Sequence, residues 1–225
     1  SVGDVLSPAL LASLVLLGLF PLMAKWVVSW LKRQKVYAKW PKPKSFDRNL
    51  VVIGGGAGGL VTAYIAAAVK AKVTLIEAHK MGGDCLNYGC VPSKALIRSA
   101  KLAKQLKEAS RYGFQNVSGQ ADFAAVMQRV HAVIKDIEPH DSIERYTALG
   151  VEVLEGHAVI TSPWQVQVTL KDGSQQTLST RNIVIAAGAS PFVPDIPGLA
   201  DVGYLTSDTV WGLTQQPKRL VVLGG

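Results

Sequence analysis

The sequence predicts an α/β fold with a parallel sheet, preceded by one transmembrane helix. Residues 5–24 carry no charge, which predicts the helix. A strand, a glycine turn, a helix and a second strand follow one another from about residue 49 to residue 77. Short apolar runs then recur between residues 151 and 186. A strand–helix–strand order implies parallel strands, because the helix returns the chain to the same end of the sheet.

The N-terminal apolar segment is long enough to cross a membrane, since about 20 helical residues span a bilayer core of roughly 30 Å. Aromatic residues and lysines follow it, as at a membrane interface: Trp26, Trp30, Tyr37 and Trp40. A signal peptide is the alternative, but it would carry its positive charge before the apolar core. Here Asp4 precedes the core and the cations follow it. We therefore predict a transmembrane helix over residues 1–31, with the rest of the chain in the cytoplasm.

The positive charge is concentrated beside this segment. The net charge is +8, and residues 1–48 hold eight Lys/Arg against two acidic residues. Residues 49–225 hold sixteen Lys/Arg against fourteen acidic residues and are nearly neutral. Residues 32–47, with two prolines, are expected to form a basic juxtamembrane linker that faces anionic membrane lipid. Nucleic acid is not an expected partner.

Residues 48–217 are expected to form one domain, followed at residues 218–225 by the start of another. Apolar patterning predicts helices over residues 60–69, 93–112 and 123–149, the last interrupted near Pro139. Asp172-Gly173 predicts a hairpin turn, and Pro191, Pro194 and Pro197 indicate an extended loop. The predicted strands are 49–53, 72–77, 151–154, 158–160, 165–170, 176–179, 182–186 and 219–223.

Residues 54–59 read Gly-Gly-Gly-Ala-Gly-Gly and fit the pattern G-x-G-x-x-G. The first glycine permits a tight turn, the second lets a pyrophosphate approach the backbone, and the third lets helix and strand pack closely. The N-terminus of the following helix then faces the phosphates. The pattern predicts a Rossmann-like dinucleotide site with contacts from Gly54, Gly56, Ala57, Gly58 and Gly59.

Glu77 ends the second strand 23 residues after Gly54. An acidic residue at that place accepts hydrogen bonds from the ribose of an adenine dinucleotide, and Ala78 follows it at the same site. The alternative is that Glu77 is an ordinary solvated acid at a strand end.

The sequence contains two cysteines, Cys85 and Cys90, separated by four residues. A helix follows, and its N-terminus would favour a thiolate at Cys90. Two buried thiols are the alternative. A zinc site is not predicted, because there is no second cysteine pair and the four histidines lack zinc-like spacing.

Residues 81–94 read Met-Gly-Gly-Asp-Cys-Leu-Asn-Tyr-Gly-Cys-Val-Pro-Ser-Lys. They fill every position of the pattern G-G-x-C-x-N-x-G-C-x-P-S-K and closely resemble the active site of the class I pyridine nucleotide–disulfide oxidoreductases. This family includes dihydrolipoamide dehydrogenase, glutathione reductase and mercuric reductase. The resemblance runs from about residue 49 to residue 225. Asp84, where many members carry Thr, is most similar to mercuric-reductase-like proteins.

Four further segments resemble the family. Thr206-Ser207-Asp208 resembles its segment that leads into the nicotinamide domain. Gly156, His157 and Ala158 resemble its strand at the adenine. Residues 185–191, including Ala187 and Gly188, resemble its turn beside the flavin, although Ala187 replaces the usual Thr. Residues 220–225 resemble the first part of the glycine motif of its nicotinamide domain, so the chain is expected to be an incomplete piece of the enzyme.

The resemblance implies a two-dinucleotide-binding-domain flavoprotein that uses FAD, with NAD(P)H as co-substrate. Electrons would pass from NAD(P)H through FAD to a Cys85–Cys90 disulfide and on to a small-molecule or metal-ion substrate. Cys90 would face the flavin as a thiolate, Cys85 would attack substrate, and Lys94 would add positive charge near the flavin. Gly83 and Asp84 would also contact FAD. The complete protein would be a homodimer.

Two other functions stay open from the sequence. A membrane-bound module could use FAD to reduce a quinone or a partner protein, which the apolar segment favours. A non-enzymatic redox sensor could couple the state of the cysteines to the membrane segment.

Overall fold

The computed structural model describes residues 8–224, so the first residues of the predicted transmembrane segment lie outside the described part. The chain divides into two compact units, Ser1–Ser45 and Phe46–Gly225.

The first unit is a single helix, α1 (Pro8–Lys39), which continues through Pro21. By length and composition it can cross a membrane: the candidate span is Ala12–Lys39, with a mean hydropathy of 1.9 and its side chains exposed. The helix extends beyond Leu31 into the expected linker, because residues 32–39 contain neither Gly nor Pro. It ends before Pro41, whose ring disfavours helical geometry at the preceding residue.

The second unit contains two sheets that share two strands. The strands are β1 (Arg48–Ile53), β2 (Val73–Glu77), β3 (Val151–Ser162), β4 (Gln165–Leu170) and β5 (Gln175–Ile185). A parallel sheet has the order β5-β1-β2-β3, and an antiparallel sheet has the order β3-β4-β5. Together the five strands close into a barrel. The predicted pairs 151–154 with 158–160, and 176–179 with 182–186, are therefore single long strands that change partners midway.

Six helices accompany the sheets in the described part of this unit: α2 (Ala57–Ala68), α3 (Gly83–Asn87), α4 (Cys90–Lys107), α5 (Phe123–Ile137), α6 (Ile143–Ala148) and α7 (Leu199–Val202). The predicted break near Pro139 is confirmed: a 3₁₀ turn, Glu138–Asp141, separates α5 from α6. A side chain caps the N-terminus of each of these helices. Asp122 accepts a hydrogen bond from the Ala125 N–H at 3.2 Å, and Ser142 accepts one from the Arg145 N–H at 3.2 Å.

The predicted strand at residues 219–223 is wrong. These residues adopt no regular structure, and Val221 is 83% exposed. A strand requires a neighbour for its backbone hydrogen bonds, and no described strand lies beside this segment. Its apolar pattern alone was the basis of the prediction. The hairpin turn at Asp172-Gly173 is confirmed, and Gly173 has φ +85° there.

Two apolar clusters lie on opposite faces of the parallel sheet. One packs α2 and α6 on the sheet: Val52, Leu60, Ala63, Ala67, Val73, Leu75, Tyr146 and Val151. The other fills the space between the two sheets: Val51, Ile76, Val166, Val168 and Leu178. Because β1 and β2 are covered on both faces, Val51, Val52, Leu75 and Ile76 are all essentially inaccessible to solvent.

Gly156 occupies the point where β3 leaves β2 and begins to pair with β4. A Cβ there would lie 2.4 Å from the Thr169 carbonyl oxygen of β4. The close approach of the two strands therefore requires glycine at this position.

Substitution Gly156→Ala is expected to destabilise the second unit by about 1–3 kcal/mol, as overpacking does. In an uncrowded strand the same change would stabilise by roughly 0.5–1 kcal/mol. Urea denaturation followed by circular dichroism measures the difference. Gly212→Ala is the control, because a Cβ at Gly212 meets nothing within 4 Å. Equal midpoints for the two variants would contradict this account of the crossing.

Candidate functional site

At two positions of the glycine turn, at the carboxyl end of β1, the surrounding backbone leaves no room for a Cβ atom. Gly54 has φ +108°, and a Cβ on it would lie 2.2 Å from the Ala186 carbonyl oxygen. A Cβ on Gly59 would lie 1.8 Å from the Gly54 carbonyl oxygen. The first residue thus lets β1 approach the end of β5, and the second lets α2 pack on the turn.

Glu77 holds the turn to the end of β2. Its carboxylate accepts from the Gly55 N–H at 2.5 Å and from the His79 N–H at 2.7 Å. Each carboxylate oxygen retains a further lone pair, so Glu77 can still accept hydrogen bonds from a ligand. Glu77, which is predicted to bind a ribose, therefore also fixes the backbone of the glycine turn and of the residues that follow β2.

Helix α3 packs directly on the glycine turn. The Gly82 N–H donates to the Gly55 carbonyl at 2.9 Å, and Gly56 and Gly82 form an isolated parallel bridge. Gly83 has φ +52°, and a Cβ on it would lie 2.6 Å from the Gly56 Cα. Contact with the glycine turn therefore requires glycine at position 83, whereas at Gly82 a Cβ would lie 2.4 Å from the Leu86 side chain. Together the two glycines bring Cys85 to the turn.

The end of β5 completes the site. Gly188 has φ +69°, and a Cβ on it would lie 3.6 Å from the Asp84 Oδ2 atom. Asp208 arrives from a distant segment that is anchored by Trp211: the indole Nε1 donates to the Tyr88 carbonyl at 2.8 Å, and the Trp211 carbonyl lies 3.0 Å from His131 Nε2.

A cavity of about 1080 Å³ lies among these elements. Its volume is comparable with the upper range of cofactor sites, roughly 300–1,000 Å³. The sequence-predicted residues that line it are Gly54, Gly56, Ala57, Gly58, Glu77, Ala78, Gly83, Asp84, Cys85, Ala187 and Gly188. Ala186, Ala189 and Ser190 also line it, and they belong to the segment 185–191 that resembles the turn beside the flavin. Four lining residues were not predicted as site residues: His79, Lys80, Tyr88 and Asp208.

Lys80 and Tyr88 could have been predicted as site residues, because Lys80 precedes the cysteine segment 81–94 and Tyr88 lies within it. The Lys80 Nζ atom lies 5.7 Å from the centroid of the Tyr88 ring. Lys80 places a positive charge in a cavity that also holds three carboxylates, those of Glu77, Asp84 and Asp208. Asp208 lies in the segment that resembles the approach to the nicotinamide domain, but nothing local in the sequence predicted that it lines this cavity.

Six predicted site residues do not line the cavity: Gly59, Cys90, Lys94, Gly156, His157 and Ala158. Gly59 and Gly156 have the packing roles described above. Lys94 is exposed on α4, one turn after Cys90. His157 and Ala158 lie on the part of β3 that pairs with β4.

The two cysteines are close together, and both are free thiols in this structure. Cys85 is half-buried, whereas Cys90 is exposed at the first residue of α4. A hydrogen bond with the Cys90 side chain raises the pKa of the Cys85 thiol, and burial and the charge of Cys90 raise that pKa further. The Cys85 thiol therefore retains its proton to a higher pH than an ordinary cysteine does.

The backbone at the start of α2 fits a dinucleotide. Gly56 is the residue before the helix and offers no side-chain cap to the first N–H groups. A Cβ at Gly56 would meet nothing closer than 3.7 Å, and a Cβ at Gly58 nothing closer than 4.0 Å. The absence of side chains there leaves the helix N-terminus open to the cavity, which suits the pyrophosphate of FAD.

Comparison with known proteins gives consistent results. A family model described as pyridine nucleotide-disulphide oxidoreductase matches residues 48–225. A glutathione reductase from Schizosaccharomyces pombe is 41% identical over 189 residues, which cover 82% of this chain and 39% of the relative. A mercuric reductase from Streptomyces lividans is 34% identical over 178 residues, covering 79% of this chain and 38% of the relative.

A dihydrolipoyl dehydrogenase from Chlorobaculum parvum is 37% identical over 180 residues, covering 79% of this chain and 38% of the relative. This chain thus spans less than two fifths of these relatives. Among solved structures, the HOCl-induced flavoprotein disulfide reductase RclA from Escherichia coli, in a Cu(II) complex, superposes with a TM-score of 0.63 at 23% identity. The match covers 76% of this chain and 35% of that one, and shows a shared fold.

The reactivity of the two thiols can be ordered by alkylation. In the reduced protein near neutral pH, iodoacetamide is expected to modify exposed Cys90 faster than Cys85, because thiolate is the reactive species. In Cys90→Ala, the Cys85 pKa falls towards its ordinary value, since the hydrogen bond and the like charge are both removed. Its rate–pH profile should therefore move to lower pH, as read by mass spectrometry of each cysteine-containing peptide.

Cys90→Ser provides the matched control. Its hydroxyl retains a hydrogen-bonding partner but carries no charge, so a smaller shift is expected. An unchanged Cys85 profile in Cys90→Ala would contradict the coupling between the two thiols.

Proposed function

The chain belongs to the pyridine nucleotide-disulphide oxidoreductase family, and from this premise we propose that it carries the FAD site and the redox-active cysteines of an NAD(P)H-dependent oxidoreductase. The observation that carries the proposal is the contact of α3 with the glycine turn. This contact brings Cys85 into the same cavity as the backbone that would bind a dinucleotide.

The cavity residues divide between the two halves of FAD. Glu77 and Ala78 would bind the adenosine half, and the open backbone at Gly56–Gly58 would bind the phosphates. Gly83, Asp84, Ala187 and Gly188 lie at the end nearer Cys85 and would hold the flavin half. When bound, FAD supplies two-electron exchange with a nicotinamide and with the cysteine pair.

We assign a different task to each sulfur. Cys85 lines the cavity, whereas Cys90 is exposed at the start of α4 and would face the flavin as the family resemblance implies. Reduction of a Cys85–Cys90 disulfide by two electrons, with uptake of one proton, leaves one thiol and one thiolate. The interaction with Cys90 raises the pKa of Cys85, so we place the one proton on Cys85. Lys94 follows Cys90 by one turn of α4, where its ammonium group favours a thiolate on Cys90.

Cys85 would then be the sulfur that attacks substrate. It must first lose its proton, because thiolate is the attacking species in disulfide exchange. Its raised pKa means that the attack accelerates as pH rises towards that pKa. Oxidation of both sulfurs to the disulfide passes two electrons to the substrate and completes the cycle.

The proposed substrate is a small molecule or a metal ion. The relatives named above are a mercuric reductase, a glutathione reductase and a dihydrolipoyl dehydrogenase, which differ in substrate while matching the same segment of this chain. We further propose that residues 218–225 begin an NAD(P)-binding domain and that the complete protein is a homodimer.

Helix α1 supports membrane attachment of this enzyme, with residues 46–225 in the cytoplasm. Its exposed apolar surface, which includes Phe20 and Trp26 at 69% exposure each, would be covered by lipid. The same helix favours a second candidate function, in which FAD passes electrons to a quinone or a membrane-bound partner without using the cysteines.

An anaerobic titration with NADH or NADPH distinguishes the two functions. The full-length protein in detergent, carrying FAD, is expected to develop long-wavelength charge-transfer absorbance after two electrons. Cys90→Ser should lack this band at every stage. Cys85→Ser should show it before any reductant is added, because the Cys90 thiolate then lies free beside oxidised flavin, and should lose it as the flavin accepts two electrons. Bleaching of the flavin with no such band in the wild type would favour the quinone or partner-protein function instead.

A further inference from the structure

The part of α1 from Lys25 to Lys39 has two distinct faces. At about 100° per residue, its four lysines fall within an arc of roughly 80°. We call this the lysine face; it consists of Lys25, Lys32, Lys35 and Lys39, all of which are exposed. Arg33 lies outside this face, about 80° around the helix from Lys25.

The aromatic residues of the same segment lie on the other side. Trp26, Trp30 and Tyr37 fall within an arc of about 40°, roughly opposite the lysine face. Trp26 is 69% exposed and Trp30 48% exposed. Aromatic residues at such positions anchor helices in the interface between lipid and water. The four lysines are therefore gathered on one side of the helix, whereas Arg33 is not.

Three of the four lysines lie just outside the bilayer core. If residues 12–31 span the bilayer core of roughly 30 Å, Lys32, Lys35 and Lys39 lie about 1.5, 6 and 12 Å beyond its edge. Fixed charges act over a Debye length of about 8 Å at physiological salt, so all three are within reach of the headgroups. Lys25 lies about 9 Å inside the edge, on the face along which its side chain can extend towards Lys32.

We propose, on the basis of the membrane span proposed above, that the lysine face binds the phosphate groups of anionic phospholipids. Ammonium groups are complementary in charge to these phosphates, and the face is continuous with the apolar surface that contacts the acyl chains. Lys25 lies too deep for a soluble acidic partner to reach. The Lys39 Nζ atom lies 5.4 Å from the Trp40 ring centroid, which holds this lysine beside an interfacial aromatic.

Tryptophan quenching by brominated lipids tests the proposal. The full-length protein is reconstituted in phosphatidylcholine bilayers that contain an equal fraction of brominated phosphatidylcholine or brominated phosphatidylglycerol. Trp40, beside Lys39, reports lipids at the lysine face, and Trp26 and Trp30 report lipids elsewhere around α1. Trp164 and Trp211 of the second unit contribute a constant background. Each lysine near the surface contributes about fivefold to the preference for anionic lipid. Brominated phosphatidylglycerol should therefore quench more strongly in the wild type.

Two triple variants separate the face from the overall charge. Lys32→Gln/Lys35→Gln/Lys39→Gln removes three cations from the lysine face and should lower the relative affinity for phosphatidylglycerol by about tenfold or more. Arg33→Gln/Lys42→Gln/Lys44→Gln removes the same charge outside the lysine face and should lower the preference less, by about the fivefold that Arg33 contributes near the surface. An equal loss in both variants, or no preference in the wild type, would overturn the proposal. Absence of quenching by either lipid would instead contradict the membrane span itself.

Discussion

The contact between α3 and the glycine turn is the constraint on which the site depends. Gly83 approaches the Gly56 Cα so closely that a Cβ would lie 2.6 Å from it, and the Gly82 N–H bonds to the Gly55 carbonyl. One short segment must therefore satisfy two demands, because its backbone packs on the glycine turn and Cys85, two residues after Gly83, presents a thiol. The chemistry of Cys85 is linked to the cradle by packing between backbones, which no change of side-chain rotamer can undo.

The sheets hold this contact in place. β1 and β2 are covered by helices on one face and by the antiparallel sheet on the other, so the ends that carry the glycine turn and Glu77 are rigidly spaced. Glu77 then ties the two ends together through the N–H groups of Gly55 and His79. This arrangement requires β3 to belong to both sheets. Gly156 makes this possible, because it has no side chain where β3 meets β4.

Local patterns predicted the first strand, glycine turn and helix, the cysteine segment, the break at Pro139 and the hairpin at Asp172-Gly173. They divided β3 and β5 because Glu155, His157 and Arg181 interrupt the apolar runs, whereas both backbones continue from one sheet to the next. They also predicted a strand at residues 219–223, since apolar pattern contains no information about a pairing neighbour. Asp208 reaches the cavity through the distant Trp211–Tyr88 contact, which sequence spacing does not reveal.

The central claim is that the cysteine pair and FAD act as one redox centre, and counting electrons tests it most directly. Anaerobic dithionite titration of the oxidised, FAD-containing protein should consume about four electrons per FAD, two for a disulfide and two for the flavin. A Cys85→Ser/Cys90→Ser variant should consume about two. Uptake of only about two electrons by the wild type would contradict the account.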